Sequence, residues 1–316
     1  MLKKLGFVGV GKMAQAHAEA AVQIGAEIIW IVNPNPNSEN LKQFMRLAPQ
    51  AKPTNSRWSP TIQGVDAWVI AAPWNVIPEM VPTLFASPLP MLIEKPISFH
   101  TREFPSGVHE DNKFVGFNRR FYPSVCALKN TMERERVKSV VVTLSDMIES
   151  IVARHGRGVL PFAMEMWAAH ILDLVYYLFG PTEIVWRSAS EGPKDFLNIE
   201  AMLLAGPQKT PIHLSINADD PSPVGLRIRM NDGTMHHLAP VERLTTFKGM
   251  TVEENEGVRS YKANKVQQTV CENHGFKPGI YEQMQAFLNQ DCVQLATIFD
   301  ARQTHNIIQE LRRPQL

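Results

Sequence analysis

Cysteine is scarce: Cys126, Cys271 and Cys292 are the only three in 316 residues. An odd number at such wide spacing fits neither a disulfide framework nor a zinc site, so inert or buried thiols are expected and no metal is. Long apolar runs are missing as well. None approaches the roughly 20 residues that a bilayer-spanning helix needs, and Met1-Leu2-Lys3-Lys4 leads straight into a short apolar strand instead of a signal peptide. A cytoplasmic chain without membrane association is the expectation. Charge of one sign is lacking too, with 32 Lys and Arg against 31 Asp and Glu and no long basic block. That removes the general attraction on which nucleic-acid and anionic-membrane binding depend. No repeat or low-complexity tract is visible. What is present, 44% apolar and 20% charged residues, is the composition of a folded protein. The length suits two domains acting on small molecules.

The most informative stretch is Leu5-Gly6-Phe7-Val8-Gly9-Val10-Gly11-Lys12-Met13-Ala14, a strand-like run that breaks into Gly-x-Gly-x-x-Ala. Gly9 would make the tight turn, Gly11 would leave bare backbone for a pyrophosphate, and small Ala14 would let the following helix pack closely. Phosphates would sit on that helix's N-terminus, where unpaired N–H groups and the helix dipole favour negative charge. Such a pattern is weak alone. Here Met13 to Ile24 is Ala-rich and free of proline, Gly25 is placed to stop a helix, and Ile28-Ile29-Trp30-Ile31-Val32 is a β-branched run suited to a buried strand. Together they form a βαβ unit.

Further strands are expected at Val65 to Ala72, Pro90 to Glu94 and Phe114 to Phe117, with helix-length segments between them. That alternation predicts an α/β Rossmann domain with a parallel sheet over residues 1–119. From about Arg120 the pattern changes. Val137 to Leu144, Glu183 to Ser188, Leu197 to Leu204, Ile212 to Ala218 and Leu226 to Met230 read as strands with few helices between them, and Asn231-Asp232-Gly233 as a hairpin turn into Thr234 to Leu238. Residues 120–316 are therefore expected to form an α+β domain with a large, mainly antiparallel open sheet. Its helices are placed at Phe162 to Phe179, Tyr281 to Leu288 and Ala301 to Leu311, the last of which could pack back on the first domain.

Glu94-Lys95-Pro96 falls just past a Rossmann strand, on the edge of the sheet where ligands bind. With the glycine turn, Ala71-Ala72-Pro73, and Val115-Gly116-Phe117-Asn118-Arg119-Arg120-Phe121-Tyr122-Pro123 following in order, the chain resembles the glucose-fructose oxidoreductase / inositol dehydrogenase (Gfo/Idh/MocA) family over nearly its whole length. The resemblance implies an NAD(P)-dependent dehydrogenase or reductase acting on a secondary alcohol or ketone of a sugar, inositol, nucleotide sugar or related polyol, and a homodimer or homotetramer. It implies that Lys95 lies near the nicotinamide, where an ammonium can polarise a carbonyl or help move a hydroxyl proton. A solvated lysine before a proline turn is the alternative. Gly9, Gly11, Lys12, Met13, Ala14, Asn33, Ala72, Pro73, Trp74, Asn75, Glu94, Lys95 and Pro96 are the positions implied to hold the cofactor.

Glu165-Met166-Trp167-Ala168-Ala169-His170-Ile171-Leu172-Asp173 resembles the family's Asp-x-x-x-His-x-x-Asp helix. His170 matches its proton acceptor, although a core histidine bonded to Asp173 is the other reading. Asp173, Arg120 and Tyr281 are the implied substrate contacts, with a hinge ion pair as the alternative for Arg120. Asp146, Arg154, His155 and Arg157 are weaker candidates at a substrate loop. Two positions depart from the pattern. Met166 stands where the family has its first Asp, and Ile77 where many relatives place a histidine. Glu165 is a poor replacement, because about 100° per residue puts it roughly 140° round an α-helix from His170. Loss of that carboxylate keeps open a second reading, a cofactor-binding sensor or regulatory protein with weakened catalysis. For the cofactor itself, NAD-preferring domains carry Asp or Glu about 20 residues after the glycines, and this chain has Asn33. NADP is preferred over NAD on that ground, with Lys12, Lys42 or Arg46 as possible cations.

Overall fold

The computed structural model describes residues 2–99, 104, 106–191, 197–272 and 275–313, without the side chains at 146 and 197. Contacts divide the chain into two compact units, Met1–Phe121 with Asn273–Asn306, and Tyr122–Glu272 with Ile307–Leu316. The segment 273–306, assigned from sequence to the second domain, thus belongs with the first.

The first unit begins β1 (Lys4–Val8), α1 (Lys12–Ile24), β2 (Glu27–Val32), α2 (Glu39–Leu47), β3 (Lys52–Thr54), β4 (Ala67–Ile70), α3 (Ile77–Ala86), β5 (Met91–Ile93) and β6 (Lys113–Val115). The second holds α4 (Pro123–Met132), β7 (Val137–Asp146), α5 (Ile148–His155), α6 (Ala169–Phe179), β8 (Thr182–Glu191), β9 (Leu197–Ala205), β10 (Thr210–Ala218), β11 (Gly225–Met230), β12 (Met235–Leu238), β13 (Arg243–Asn255) and β14 (Val258–Val270). After these come α7 (Ile280–Asn289), β15 (Ala296–Thr297) and α8 (Ile298–Arg312).

In the first unit the strand order among the described residues is β15-β6-β5-β4-β1-β2-β3, parallel apart from β15. The central strands are continuous apolar runs because helices cover both faces. Ala14, Ala18 and Ala21 form one stripe of α1, each fully buried, and bring that helix close to the sheet. Gly25 stops α1 in the left-handed region (φ 93°), its N–H bonding the Ala21 and Val22 carbonyls. Phe7 and Phe44 meet edge to face at 5.3 Å in the same core. A buried charge sits at the foot of β6. Lys113 Nζ donates to the carbonyls of Ser87 (2.8 Å), Leu89 (3.0 Å) and His109 (2.9 Å) and to Asn112 Oδ1. Burial pulls its pKa down to about 8.

The second unit's sheet runs β14-β13-β12-β11-β7-β10-β9-β8, antiparallel except where β10 lies beside β7. The mainly antiparallel open sheet expected from sequence is present. Asn231-Asp232-Gly233 makes the expected hairpin, with Gly233 at φ 84° and Asp232 accepting from Thr234 N–H at 2.9 Å. The longest pair of strands has no counterpart in the sequence reading. β13 and β14 are exposed along most of their length, so apolar alternation does not mark them. Main-chain pairing and the cross-strand pairs Arg259 with Glu254 and Lys262 with Glu253 hold them together. Helices α4 and α5 were not anticipated either. The single helix expected over Phe162 to Phe179 is instead a 3₁₀ segment at Arg157–Phe162, a π turn at Met164–Ala168, and α6.

Candidate functional site

The glycine turn has the geometry that its pattern predicts. Gly9 N–H bonds the Val32 carbonyl at 2.9 Å, and its φ of +91° lies where side chains are strained. A Cβ there would stand 2.3 Å from the Ala71 carbonyl oxygen. Gly11 is the N-cap of α1 and makes no side-chain cap hydrogen bond. A Cβ on Gly11 would meet nothing within 4 Å, which leaves open space directly over the first turn of α1. That turn carries no acid, and Ala14 is fully buried behind it. Bare N–H groups, open approach and no negative charge fit a dinucleotide pyrophosphate. Lys12 is exposed and Met13 half-buried at the start of the helix. Lys277 Nζ stands 2.9 Å from Met13 Sδ. Sequence reasoning missed this second cation, because 264 positions separate it from Met13.

Beside the turn lies a cleft of about 650 Å³, lined on one side by Val8, Gly9, Val32, Asn33 and Pro34. Ala72, Pro73, Val76, Glu79, Met80 and Thr83 line it from another side, and Ser56, Arg57 and Trp58 complete it. Asn33, Ala72 and Pro73, expected from sequence at the cofactor, are thus in the lining of this cleft. Trp74 and Asn75 follow directly but are not in the lining; Trp74 packs on Phe99 with ring centroids 5.7 Å apart. Ile77 is fully buried in α3, so this position is core in the present chain. Asn33 Nδ2 donates to the Asn35 carbonyl at 2.6 Å.

Glu94 continues past β5, its N–H bonding the Ile70 carbonyl at 2.8 Å. Its carboxylate, expected at the cofactor, is instead an internal anchor. The side chain is buried and Oε1 lies 2.9 Å from His17 Nε2 on α1. Burial alone would push this carboxyl up. The His17 hydrogen bond and the positive charges of His17, Lys95 and Lys277 outweigh it, and the pKa ends below its ordinary value. Glu94 thereby ties the strand end to the glycine-turn helix, and Lys95, half-buried, is the next residue. The Lys95–Pro96 peptide is cis and Pro96 is buried.

The structure does not present Arg120 as a substrate-facing fork. It is 3% exposed, and Nη1 pairs with Asp300 Oδ2 at 3.1 Å. Asp300 also accepts from Thr297 N–H at 2.9 Å, so the guanidinium is bound to the start of α8. Its neighbour Arg119 is more exposed, and its charge lowers the Lys277 pKa after burial has done so. Tyr281 belongs to the first unit, where its ring lies against Phe276 at 5.2 Å.

In the second unit His170 is half-buried on α6, and Asp173, one turn on, is fully buried. Asp173, expected as a substrate contact, has no exposed surface. Met166 is buried. The angular argument against Glu165 assumed an α-helix, and the π turn winds in an extra residue between it and His170. Its carboxylate is nonetheless engaged, with Arg312 Nη1 2.8 Å from Oε1. Arg154 and His155 end α5, and His155 packs edge-on to Trp167 at 5.6 Å. Arg157 opens the 3₁₀ segment, and the Asp146 side chain lies outside the described residues.

Comparison with known proteins agrees with the architecture. The family described as NADP oxidoreductase, coenzyme F420-dependent, matches residues 4–93. No curated protein sequence matches the chain. Among solved structures, UDP-N-acetylglucosamine 3-dehydrogenase from Acidithiobacillus ferrooxidans is similar with a TM-score of 0.69 at 15% identity, over 98% of this chain and 96% of that one. An oxidoreductase from Agrobacterium radiobacter, solved with NAD+, L-tartaric acid and magnesium, gives 0.70 at 14% identity, over 97% and 94%. The myo-inositol 2-dehydrogenase from Lactobacillus plantarum gives 0.66 at 14% identity, over 97% and 95%. At these identities the likeness is one of fold alone, a two-part fold shared with these oxidoreductase structures.

Proposed function

We propose that the protein is a nicotinamide-dependent oxidoreductase that moves a hydride between its cofactor and a secondary alcohol or ketone of a sugar, inositol, nucleotide sugar or related polyol. NADP is the preferred cofactor, with NAD as the alternative. The observation that carries the reading is the glycine turn: barred to a side chain at Gly9, open over Gly11, free of acid in its first helical turn, and bordering a cleft that contains Asn33. Support also comes from structural relatives described as dehydrogenases of myo-inositol and of UDP-N-acetylglucosamine, and from one described with NAD+.

Bound there, the nicotinamide would supply the hydride donor or acceptor. The N–H groups at the start of α1 would hold the pyrophosphate, and Asn33 would face the ribose without the charge that repels a phosphate. Anchored through Glu94 and His17, the end of β5 would position Lys95. Its ammonium would polarise the carbonyl oxygen of a ketone and give it a proton, and in the reverse direction the neutral amine would accept the proton released from an alcohol. His170 is the second proposed proton-handling group, steadied by Asp173.

The test is absorbance at the reduced-nicotinamide band when the protein is incubated with NADP+ or NAD+ and a panel of polyols. Lys95→Ala is expected to lower kcat at least about a hundredfold while cofactor affinity stays within about twofold. Full turnover in that variant rejects the assignment. A homodimer or homotetramer belongs to the same proposal, supported by exposed Trp186 and Tyr261 on the open sheet; a monomer by light scattering removes it. A second reading, a cofactor-binding sensor, is favoured by Met166 together with the engagement of Glu165 by Arg312. Tight nucleotide binding with a blocked substrate pocket and no turnover on any polyol selects it.

A further inference from the structure

The cation of the cleft does not lie where the sequence pattern directs attention. Lys12, Lys42 and Arg46 are the cations nearest the glycine turn or the end of β2 in sequence, yet none of them lines the cleft. Lys42 instead pairs with Glu39 at 3.2 Å on α2. The cation in the lining is Arg57, from the segment after β3.

Its placement follows from the sheet. β2 and β3 are parallel neighbours with Val32 opposite Thr54, and Asn33 N–H bonds the Thr54 carbonyl at 2.9 Å. The two strands therefore end side by side at the carboxyl edge, with Asn33 leaving one and Ser56 and Arg57 following the other. Both segments enter the same cleft. Arg57 is exposed, and no hydrogen bond or ion pair engages its guanidinium among the described residues. The one acid in the lining, Glu79, comes from the first turn of α3, with Val76 and Met80 beside it.

A dinucleotide seated on the glycine turn brings its adenosine ribose to the end of the second strand. In this chain that position offers a neutral amide, a serine hydroxyl and an unpaired planar guanidinium, a donor set suited to a phosphate monoester. We infer that Arg57, with Ser56 beside it, binds the 2′-phosphate of NADP and sets the preference over NAD. The inference rests on the nicotinamide reading above and adds to it the residue that decides between the two cofactors.

Equilibrium binding tests it without turnover. Wild type, Arg57→Ala and Arg57→Lys are titrated with NADPH and NADH by fluorescence, and with 2′,5′-ADP and 5′-AMP as fragments that differ in the 2′-phosphate alone. Arg57→Ala is expected to weaken NADPH and 2′,5′-ADP about 10- to 100-fold, with NADH and 5′-AMP within twofold; Arg57→Lys should fall between. Equal losses for phosphorylated and unphosphorylated ligands, or no loss for either, overturn the inference while leaving the nicotinamide reading in place. A wild-type protein that binds none of the four refutes that reading and the inference with it.

Discussion

Replacing Lys113 with Met removes an ammonium from a site with no solvent access and leaves a side chain of similar length. Three main-chain carbonyls, of Ser87, Leu89 and His109, lose their donor at once. A buried acceptor left unpaired costs about 1 to 3 kcal/mol, so the three together cost roughly 3 to 9. The change also ends an unfavourable burial of charge. A pKa drawn from 10.5 down to about 8 corresponds to about 3 kcal/mol. The net expectation is a loss of about 3 kcal/mol in urea unfolding at pH 7. The sign of the pH dependence gives a second readout. Between about 8 and 10.5 the unfolded chain holds the Lys113 proton and the folded chain has released it, so stability rises with pH across that window. Lys113→Met should lack that part of the rise. A gain in stability at pH 7, or identical pH slopes in the two proteins, refutes the reasoning.

Two further outcomes follow from the nucleotide turn and its anchor. Gly9→Ala forces a Cβ against the Ala71 carbonyl at positive φ, and is expected to destabilise the fold by about 2 kcal/mol or more and to abolish dinucleotide binding; unchanged affinity by titration contradicts this. Glu94 has a lowered folded-state pKa, so its contribution is present above the ordinary value of 4.5 and is lost as pH falls through the lower folded value. Chemical denaturation from pH 7 to 3 should show Glu94→Gln losing less stability on acidification than wild type, and parallel curves contradict the charged anchor.

Elements whose signal is local were legible in the sequence. Gly9 to Ala14 announces a turn because the constraint is on backbone, and the apolar runs of β1, β2 and β4 announce buried strands because both their faces are covered. The two-part fold was readable for that reason. β13 and β14 were not, since strands exposed on both faces carry no alternation. Asn33, Ala72 and Pro73 could be placed at the cleft because they lie at fixed distances from strand ends. The places of Arg57 in the cleft lining and of Lys277 beside Met13 carry no sequence signal, because sheet order and a distant return segment, not spacing, bring them there. The partners of Glu94 and Arg120 were not legible for one common reason: a motif supplies a residue's type, while its partner, His17 in one case and Asp300 in the other, comes from far along the chain.

The first unit is built from two segments far apart in the polypeptide, Met1–Phe121 and Asn273–Asn306. Helix α1, which carries the glycine turn, packs against α7, and Leu2 N–H bonds the Leu288 carbonyl at 2.7 Å. During synthesis the turn emerges from the ribosome well before its supporting helix, because the whole second sheet is translated between them. A premature stop before that helix yields a polypeptide containing every motif glycine yet unable to complete the domain that presents them.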